Sequence, residues 1–369
     1  MEVSVSVIIA MYNAEKYICD CVRNVLGQSP PDIEVIVVDD CSTDESAALL
    51  KDSFAGEDRL VILSQPRNMG PGEARNAGIK AARGKYLTFL DSDDALTTDA
   101  LRRLCQKAEE YAADVVHGTH FLVPVVSEAP VSLLELREED IYEVSFEQGS
   151  PQTSEGLLQE DRASRIDSWL RHEIHWSVWN KLYRTEFLRE NRIRFAPMKM
   201  AEDQIFCFSC LINAANYLIL PGSYYIYRLD AWSLSRGKYN SQFARKILEA
   251  MFDCFAAVKD STENNPFIAE NPGYIRQVYR YVLNGLNDSF LKPCIRSVGV
   301  EAVLSDRTVT ELFENAASNG SAAAFLIESF RNAYANLSDE PDIFRIATSP
   351  EYWREQKNKE MKKEEKRNA

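Results

Sequence analysis

The chain has 369 residues, 45% hydrophobic and 27% charged, the balance of a globular protein able to bury a large core, in roughly two or three domains at about 150 residues each. Lys and Arg total 42 against 56 Asp and Glu, a net charge of −14. That excludes the broad basic face nucleic acid needs, though not local capture of an anionic small molecule.

Val3 to Ala10 is β-rich and apolar. A helix is expected over Ala14 to Leu26, with Asn13 as its N-cap. Ile33 to Val38 reads as a second buried strand, then a helix runs from about Asp44 to Phe54, and Leu60 to Leu63 is a third strand. Pro71 to Ala82 reads as a helix closed by Gly84, and Tyr86 to Leu90 as a fourth strand. A further helix and strand follow over Asp99 to Tyr111 and Asp114 to Phe121. Such alternation means βαβ units and a mostly parallel sheet. Ligands bind such sheets at the carboxyl ends of the strands. There the chain places Tyr12 and Asn13, Asp39 and Asp40, Asn68, and the run Asp91-Ser92-Asp93-Asp94.

About 124–165 is loop-like, rich in Glu, Ser, Pro and Gln, and reads as an insertion beside the sheet. An aromatic block from Trp169 to Tyr183 follows, then a helix opened by Met200 to Phe206. Two short strands are expected at Tyr217 to Leu220 and Tyr224 to Arg228. From Gln242 apolar residues recur at helical spacing, as in Ile247, Met251, Phe255 and Val258, to about Arg345. Residues 351–369 are Lys/Glu-rich and read as a frayed helix or disordered tail. The expected domains are 1–237, 238–350 and that tail.

No apolar run approaches the about 18–20 residues that span a bilayer. Met1-Glu2-Val3-Ser4 carries neither the basic nor the apolar region of a secretory leader. A cytoplasmic location is therefore expected, with the eight cysteines as free thiols. Cys207 and Cys210 have metal spacing but sit in an apolar run without a second pair, so they read as core. His117 with His120, and His172 with His175, lack a third ligand nearby.

Asp91 and Asp93, two carboxylates on a turn after a buried strand, offer hard oxygen donors suited to Mg²⁺ or Mn²⁺ where substrate phosphates complete the shell. Alone the pattern is weak, because acidic turns that cap helices are common.

The combination is more specific. Val5 to Asn13, Val37 to Asp44, Asn68 to Gly78 and Gly84 to Asp94 occur in order at close spacing. Trp179-Asn-Lys181-Leu-Tyr183, Ala201-Glu-Asp203-Gln-Ile-Phe206, and Tyr227-Arg228 with Ser233 and Ser235 follow. This series resembles the family 2 glycosyltransferases, inverting enzymes of the GT-A fold, over about residues 3–235. The resemblance implies an α/β architecture, a Rossmann-like, mostly parallel sheet flanked by helices, here followed by an α-helical region. It implies a UDP-sugar donor, Mn²⁺ or Mg²⁺, and a glycan, lipid-linked or protein-linked acceptor, commonly in surface polysaccharide or glycoconjugate synthesis.

Carried over residue by residue, the resemblance puts Met11, Tyr12 and Asn13 against the base; many members have Pro where this chain has Met11. Asp39 would accept from the uracil N3–H, a donor that cytosine lacks. Asp40 would position that loop or the base. Arg75 would approach the nucleotide and pair with acidic neighbours. Asn68 and Ser92 belong to the same nucleotide-sugar set. Asp91 would lie near the ribose or a metal-bound water, Asp93 would ligate the metal, and Asp94 would cap a helix or touch the sugar. Asp203 would be the general base at a helix N-terminus, where backbone amides hold it ionised. Arg228, Ser233 and Ser235 match a segment that folds over the diphosphate, or form a surface loop. Trp176 and Trp179 are sugar platforms or core; Lys181 is exposed or near the diphosphate.

An inactive nucleotide-sugar-binding or scaffold subunit on the same fold is the alternative, disfavoured because Asp39, Asp91, Asp93 and Asp203 are all present. A sugar nucleotidyltransferase or dinucleotide oxidoreductase would want a glycine-rich loop after the first strand, where this chain has Tyr12 to Lys16. The helical region, with Phe252, Phe255, Tyr274, Tyr279, Tyr281, Phe290, Phe313, Phe325 and Phe330, would serve the acceptor or self-association, or cover a flank of the sheet. Lys357 to Arg367 could touch an anionic membrane weakly.

Overall fold

The computed structural model describes residues 3–29, 32–124, 142–144, 155–158, 161–229 and 239–299, with 303, 306, 307, 309, 311 and 312 beyond. Ser233, Ser235, Phe313, Phe325, Phe330 and the charged end 351–369 lie outside the described residues.

The elements run β1 (Val5–Met11), α1 (Ile18–Leu26), β2 (Ile33–Asp39), α2 (Ser46–Ser53), β3 (Leu60–Ser64), α3 (Pro71–Ala81), β4 (Tyr86–Asp91), β5 (Ala95–Leu96), α4 (Ala100–Glu110) and β6 (Val115–Pro124). Then come β7 (Tyr142–Val144), β8 (Gly156–Leu157), α5 (Arg162–Leu170), β9 (Lys181–Arg184), α6 (Thr185–Glu190), α7 (Glu202–Asn213) and β10 (Tyr217–Leu229). Helices α8 (Ser241–Thr262), α9 (Pro266–Glu270), α10 (Gly273–Leu286) and α11 (Lys292–Val298) follow, the last two joined by a π-helical turn, Asn287–Leu291.

The strands form one mixed sheet in the order β3-β2-β1-β4-β9-β6-β10-β5, with β7 on β6 and β8 on β10. β1 pairs in parallel with β2 and β4, and β2 with β3. β9 reverses direction between β4 and β6. Strands β1 and β2 are nearly wholly buried, which is why they read as continuous apolar runs rather than alternating ones. Helix α3 lies so close to β1 that a Cβ at Gly78 would come within 2.3 Å of Ile8. The polar exception in β1, Ser6, is buried and donates to Glu34 at 2.6 Å.

Three expectations are corrected. Helix α1 starts at Ile18, because Ala14 to Tyr17 form a turn in which the Tyr17 N–H donates to the Ala14 carbonyl; Asn13, at φ 51°, does not cap it. The two strands expected over 217–228 are one, β10, with register shifts between Ile219 and Tyr225 and Gly222 at φ 126°. Within the expected insertion, Tyr142–Val144 and Gly156–Leu157 add strands to β6 and β10, and α5 begins at Arg162, capped by the Asp161 carboxylate.

The chain divides into two compact units, Met1–Arg236 with Ala257–Gln277, and Gly237–Ala256 with Val278–Ala369. Ala257–Gln277 thus groups with the first unit, beyond the expected boundary at 237. In the second unit Ala244, Ile247, Leu248, Met251 and Cys254 make a buried stripe at helical spacing, and the Tyr279 hydroxyl donates to the Phe255 carbonyl at 3.0 Å. Among the described residues no helix is long and apolar enough to cross a membrane.

Candidate active site

The carboxyl ends of β1 and β2 carry two loops held together by side-chain contacts. Asn13 accepts from the Thr43 N–H at 2.8 Å, and its own N–H donates to Ser42 Oγ at 3.0 Å. Asp39 is buried and accepts from the Ser42 N–H at 2.9 Å. Tyr12 stands 43% exposed beside them. Asp40 uses both carboxylate oxygens on the β3–α3 loop, accepting from Met69 N–H at 2.7 Å and Gly70 N–H at 2.8 Å. These contacts tie the end of β2 to the entry of α3. Gly70, at φ 91°, makes the tight entry to α3, and the preceding Asn68 is exposed.

Arg75 projects from the second turn of α3 and is buried. Its guanidinium donates to Asp91 at 2.9 Å, Asp203 at 2.8 Å and Glu202 at 3.4 Å, and lies 5.4 Å from the centroid of the Phe195 ring. Burial opposes its charge, but Asp203, Asp91 and Glu202 more than offset that and hold it above its ordinary range. Glu202 and Asp203 are the first two residues of α7, as the sequence implies. Burial raises Asp203 to about 7, with Arg75 pulling the other way. The expectation that backbone amides keep Asp203 ionised is thus corrected: burial disfavours the charge, and the Arg75 guanidinium opposes that effect.

The acidic turn is more tightly packed than its composition suggests. Asp91 and Ser92 are half-buried. Asp94 is buried, accepting from the Tyr225 hydroxyl at 2.6 Å and the Arg228 N–H at 2.7 Å. It caps no helix; both of its oxygens are taken by β10. Burial, then the charges of Asp93 and Asp91, push it well above the usual carboxylate range. Arg228 is no surface loop: it is buried, donates from Nε to the Asp93 carbonyl at 2.9 Å, and lies 4.6 Å from the centroid of the Tyr17 ring. Asp93, Asp94, Ala95 and Arg228 line a small cleft with Tyr17, Asp20, Cys21 and Asn24 of the α1 segment.

Trp179 proves to be core, stacked on Tyr225 at 4.3 Å and on Tyr227 at 5.5 Å between ring centroids. Trp176 is 38% exposed and stacked on His175 at 5.3 Å. Lys181 is not exposed; it is fully buried, donating to the His175 carbonyl and Asn180 Oδ1, both at 2.9 Å, and to the Ser177 carbonyl. Burial lowers it to about 8. His117 meets Asn180 at 3.2 Å and Tyr217 at 3.3 Å, a core arrangement.

Among the described residues no cluster of three or more His, Cys, Asp or Glu side chains is arranged to hold a metal unaided. Asp91 and Asp93 carry hard carboxylate oxygens, the donor type that suits Mg²⁺ or Mn²⁺ where ligand phosphates complete the shell. The sequence reading missed Tyr225. Its signal was a tyrosine in a strand otherwise suited to burial, since a buried phenol needs a hydrogen-bond partner.

Residues 6–143 match the family model described as Glycosyl transferase family 2. The succinoglycan biosynthesis protein ExoO of Rhizobium meliloti is 31% identical over 63% of this chain and 62% of its own length. The glycosyltransferase GlyG of Streptococcus pneumoniae is 28% identical over 69% of this chain and 82% of its own. The chain thus spans less than two thirds of ExoO. Among solved structures, S. aureus TarS 1-349 in complex with UDP-GlcNAc superposes with a TM-score of 0.52 at 21% identity, covering 89% of this chain and 92% of that one. That likeness is one of fold, and the fold is GT-A-like.

Proposed function

We propose that this chain, which belongs to glycosyltransferase family 2, moves a sugar from a UDP-sugar to a hydroxyl of a glycan, lipid-linked or protein-linked acceptor, with inversion, in cell-surface polysaccharide or glycoconjugate synthesis. The observation that carries this reading is the Arg75 bridge, which holds Asp91 and Asp203 on one guanidinium at 2.9 and 2.8 Å. One carboxylate belongs to the turn suited to a diphosphate-bound cation; the other is partly open to solvent and poised between proton acceptor and donor. Inverting transfer needs both functions within one substrate's length.

Asp203 takes the proton from the acceptor hydroxyl as oxygen attacks the anomeric carbon from the face opposite the leaving UDP. A carboxylate raised to about 7 suits that task near neutral pH, and Arg75 keeps it ionised and oriented. Asp39 receives the uracil N3–H, with Tyr12 and Asn13 bordering the base. Asp91 and Asp93 would hold Mn²⁺ or Mg²⁺, which when bound neutralises charge growing on the leaving diphosphate. Ser92 and Asn68 would add contacts to the nucleotide-sugar. Residues 238–350 serve the acceptor or self-association.

A donor screen tests this reading. UDP-sugars should raise the melting temperature with Mn²⁺, and one of them should be slowly hydrolysed. No stabilisation by any UDP-sugar, or hydrolysis unchanged in excess EDTA, would contradict it.

A further inference from the structure

Asp91, Asp93 and Asp94 put three carboxylates into four residues, and their mutual repulsion tends to open the turn. The turn closes on itself through the Asp94 N–H to the Asp91 carbonyl at 3.1 Å, and strand β10 supplies further contacts. The Tyr225 hydroxyl accepts from the Asp91 N–H at 3.1 Å and donates to Asp94 Oδ2 at 2.6 Å, so one oxygen joins both ends of the turn. Three residues on, Arg228 donates its N–H to Asp94 Oδ1 at 2.7 Å and its Nε to the Asp93 carbonyl at 2.9 Å. The Tyr225 ring is fully buried and stacked on Trp179 at 4.3 Å, which fixes where its oxygen sits.

The register that makes this possible is unusual. β10 shifts its pairing to β6 between Ile219 and Tyr225, then pairs with Leu96 and Ala95 directly after the turn. A slip of one residue would send the phenol to the opposite face.

Resting on the proposed cation-dependent reading, we propose that Tyr225 is a positioning residue for cation binding: its hydroxyl sets the acidic turn so that Asp94 is occupied inside the fold while Asp91 and Asp93 are presented to a diphosphate-bound cation. The phenol touches neither substrate nor cation. It acts through the turn, as groups behind metal ligands do when they fix ligand orientation.

Tyr225→Phe in the full chain keeps the ring and its stack and removes only the hydroxyl. Mn²⁺ is titrated calorimetrically at saturating UDP, and UDP alone in EDTA. The expected result is Mn²⁺ affinity weakened by about tenfold, with UDP affinity in EDTA unchanged. A lower melting temperature with unchanged Mn²⁺ affinity would make the hydroxyl merely structural and overturn the proposal. Should Tyr225→Phe not fold, Asp94→Asn, which disrupts the same contacts from the other side, is expected to weaken Mn²⁺ in the same direction; unchanged affinity there overturns the proposal too. Wild-type protein that binds UDP but no Mn²⁺ would overturn the cation reading itself, a failure visible before any variant is made.

Discussion

Two buried polar clusters, built on neighbouring strands, differ in what their groups face. In the first, Arg75 gathers Asp91, Glu202 and Asp203, and two of these carboxylates keep contact with solvent, Asp91 with 30% and Asp203 with 15% of the side chain exposed. In the second, Lys181, Asn180, Ser177 and His117 answer one another inside the core. One cluster has an excess of negative charge in partial contact with solvent; the other is closed, with its ammonium lowered toward neutrality by burial. Such an excess is tolerated where a ligand or cation completes it, whereas a closed network fixes a loop. Lys181, grouped with the nucleotide from its sequence motif, belongs to the second kind.

The largest effect expected falls on the acidic turn that carries Asp91 into the open cluster. Asp93→Ala should lower transfer by about a thousandfold or more, the scale of several kcal/mol of charge stabilisation, while the melting temperature in EDTA stays near wild type. Steady-state transfer and a thermal melt check both.

The closed cluster should respond the other way. Lys181→Met leaves the Ser177 and His175 carbonyls and Asn180 Oδ1 without their donor, so stability should fall by about 2–4 kcal/mol. UDP affinity of the folded fraction should stay within about twofold. A large loss of UDP affinity without destabilisation would move Lys181 into the open cluster.

The clusters should also separate by pH. Asp203 raised to about 7 predicts transfer that climbs with pH through about 7. Arg75→Met should move that limb upward, because the cation that favours the ionised form is gone. In the closed region, burial and then Lys181 lower His120 to about 4, and burial holds His117 and His175 well below their ordinary value. Lowered folded values mean that the unfolded chain takes up protons first as pH drops below about 6.5. The histidines' share of the stability should therefore be flat above about 6.5 and decline from there toward about 4, opposed by the raised Asp203 and Asp94, whose share grows as pH falls. Melts across pH 4 to 8 give the smallest of these effects, a few degrees.

The sequence was most legible where backbone periodicity and chemistry coincide. The buried strands to Asp91, the acidic turn and the placement of Glu202 and Asp203 at the start of α7 all follow from local patterns. What was not legible depends on distant packing. The Asp40 contact with Met69 and Gly70 and the Tyr225 contact with Asp94 join segments far apart in the chain, and Lys181 is buried because β9 is inserted between β4 and β6, so no local signal distinguishes a carboxylate facing a ligand from one facing a backbone amide. Asn13 illustrates a local rule overridden: it has the chemistry of an N-cap, but tertiary contacts with Ser42 and Thr43 hold it in a left-handed turn.

The most direct test of the central claim is Asp203→Asn, which preserves shape and removes the proton acceptor. Transfer to an acceptor should fall about 10²- to 10⁴-fold, while UDP affinity with Mn²⁺, measured calorimetrically on the same preparation, stays within about twofold of wild type. Loss of UDP binding with transfer largely retained per bound donor would contradict the account, and would make Asp203 a partner that holds Arg75 rather than the base.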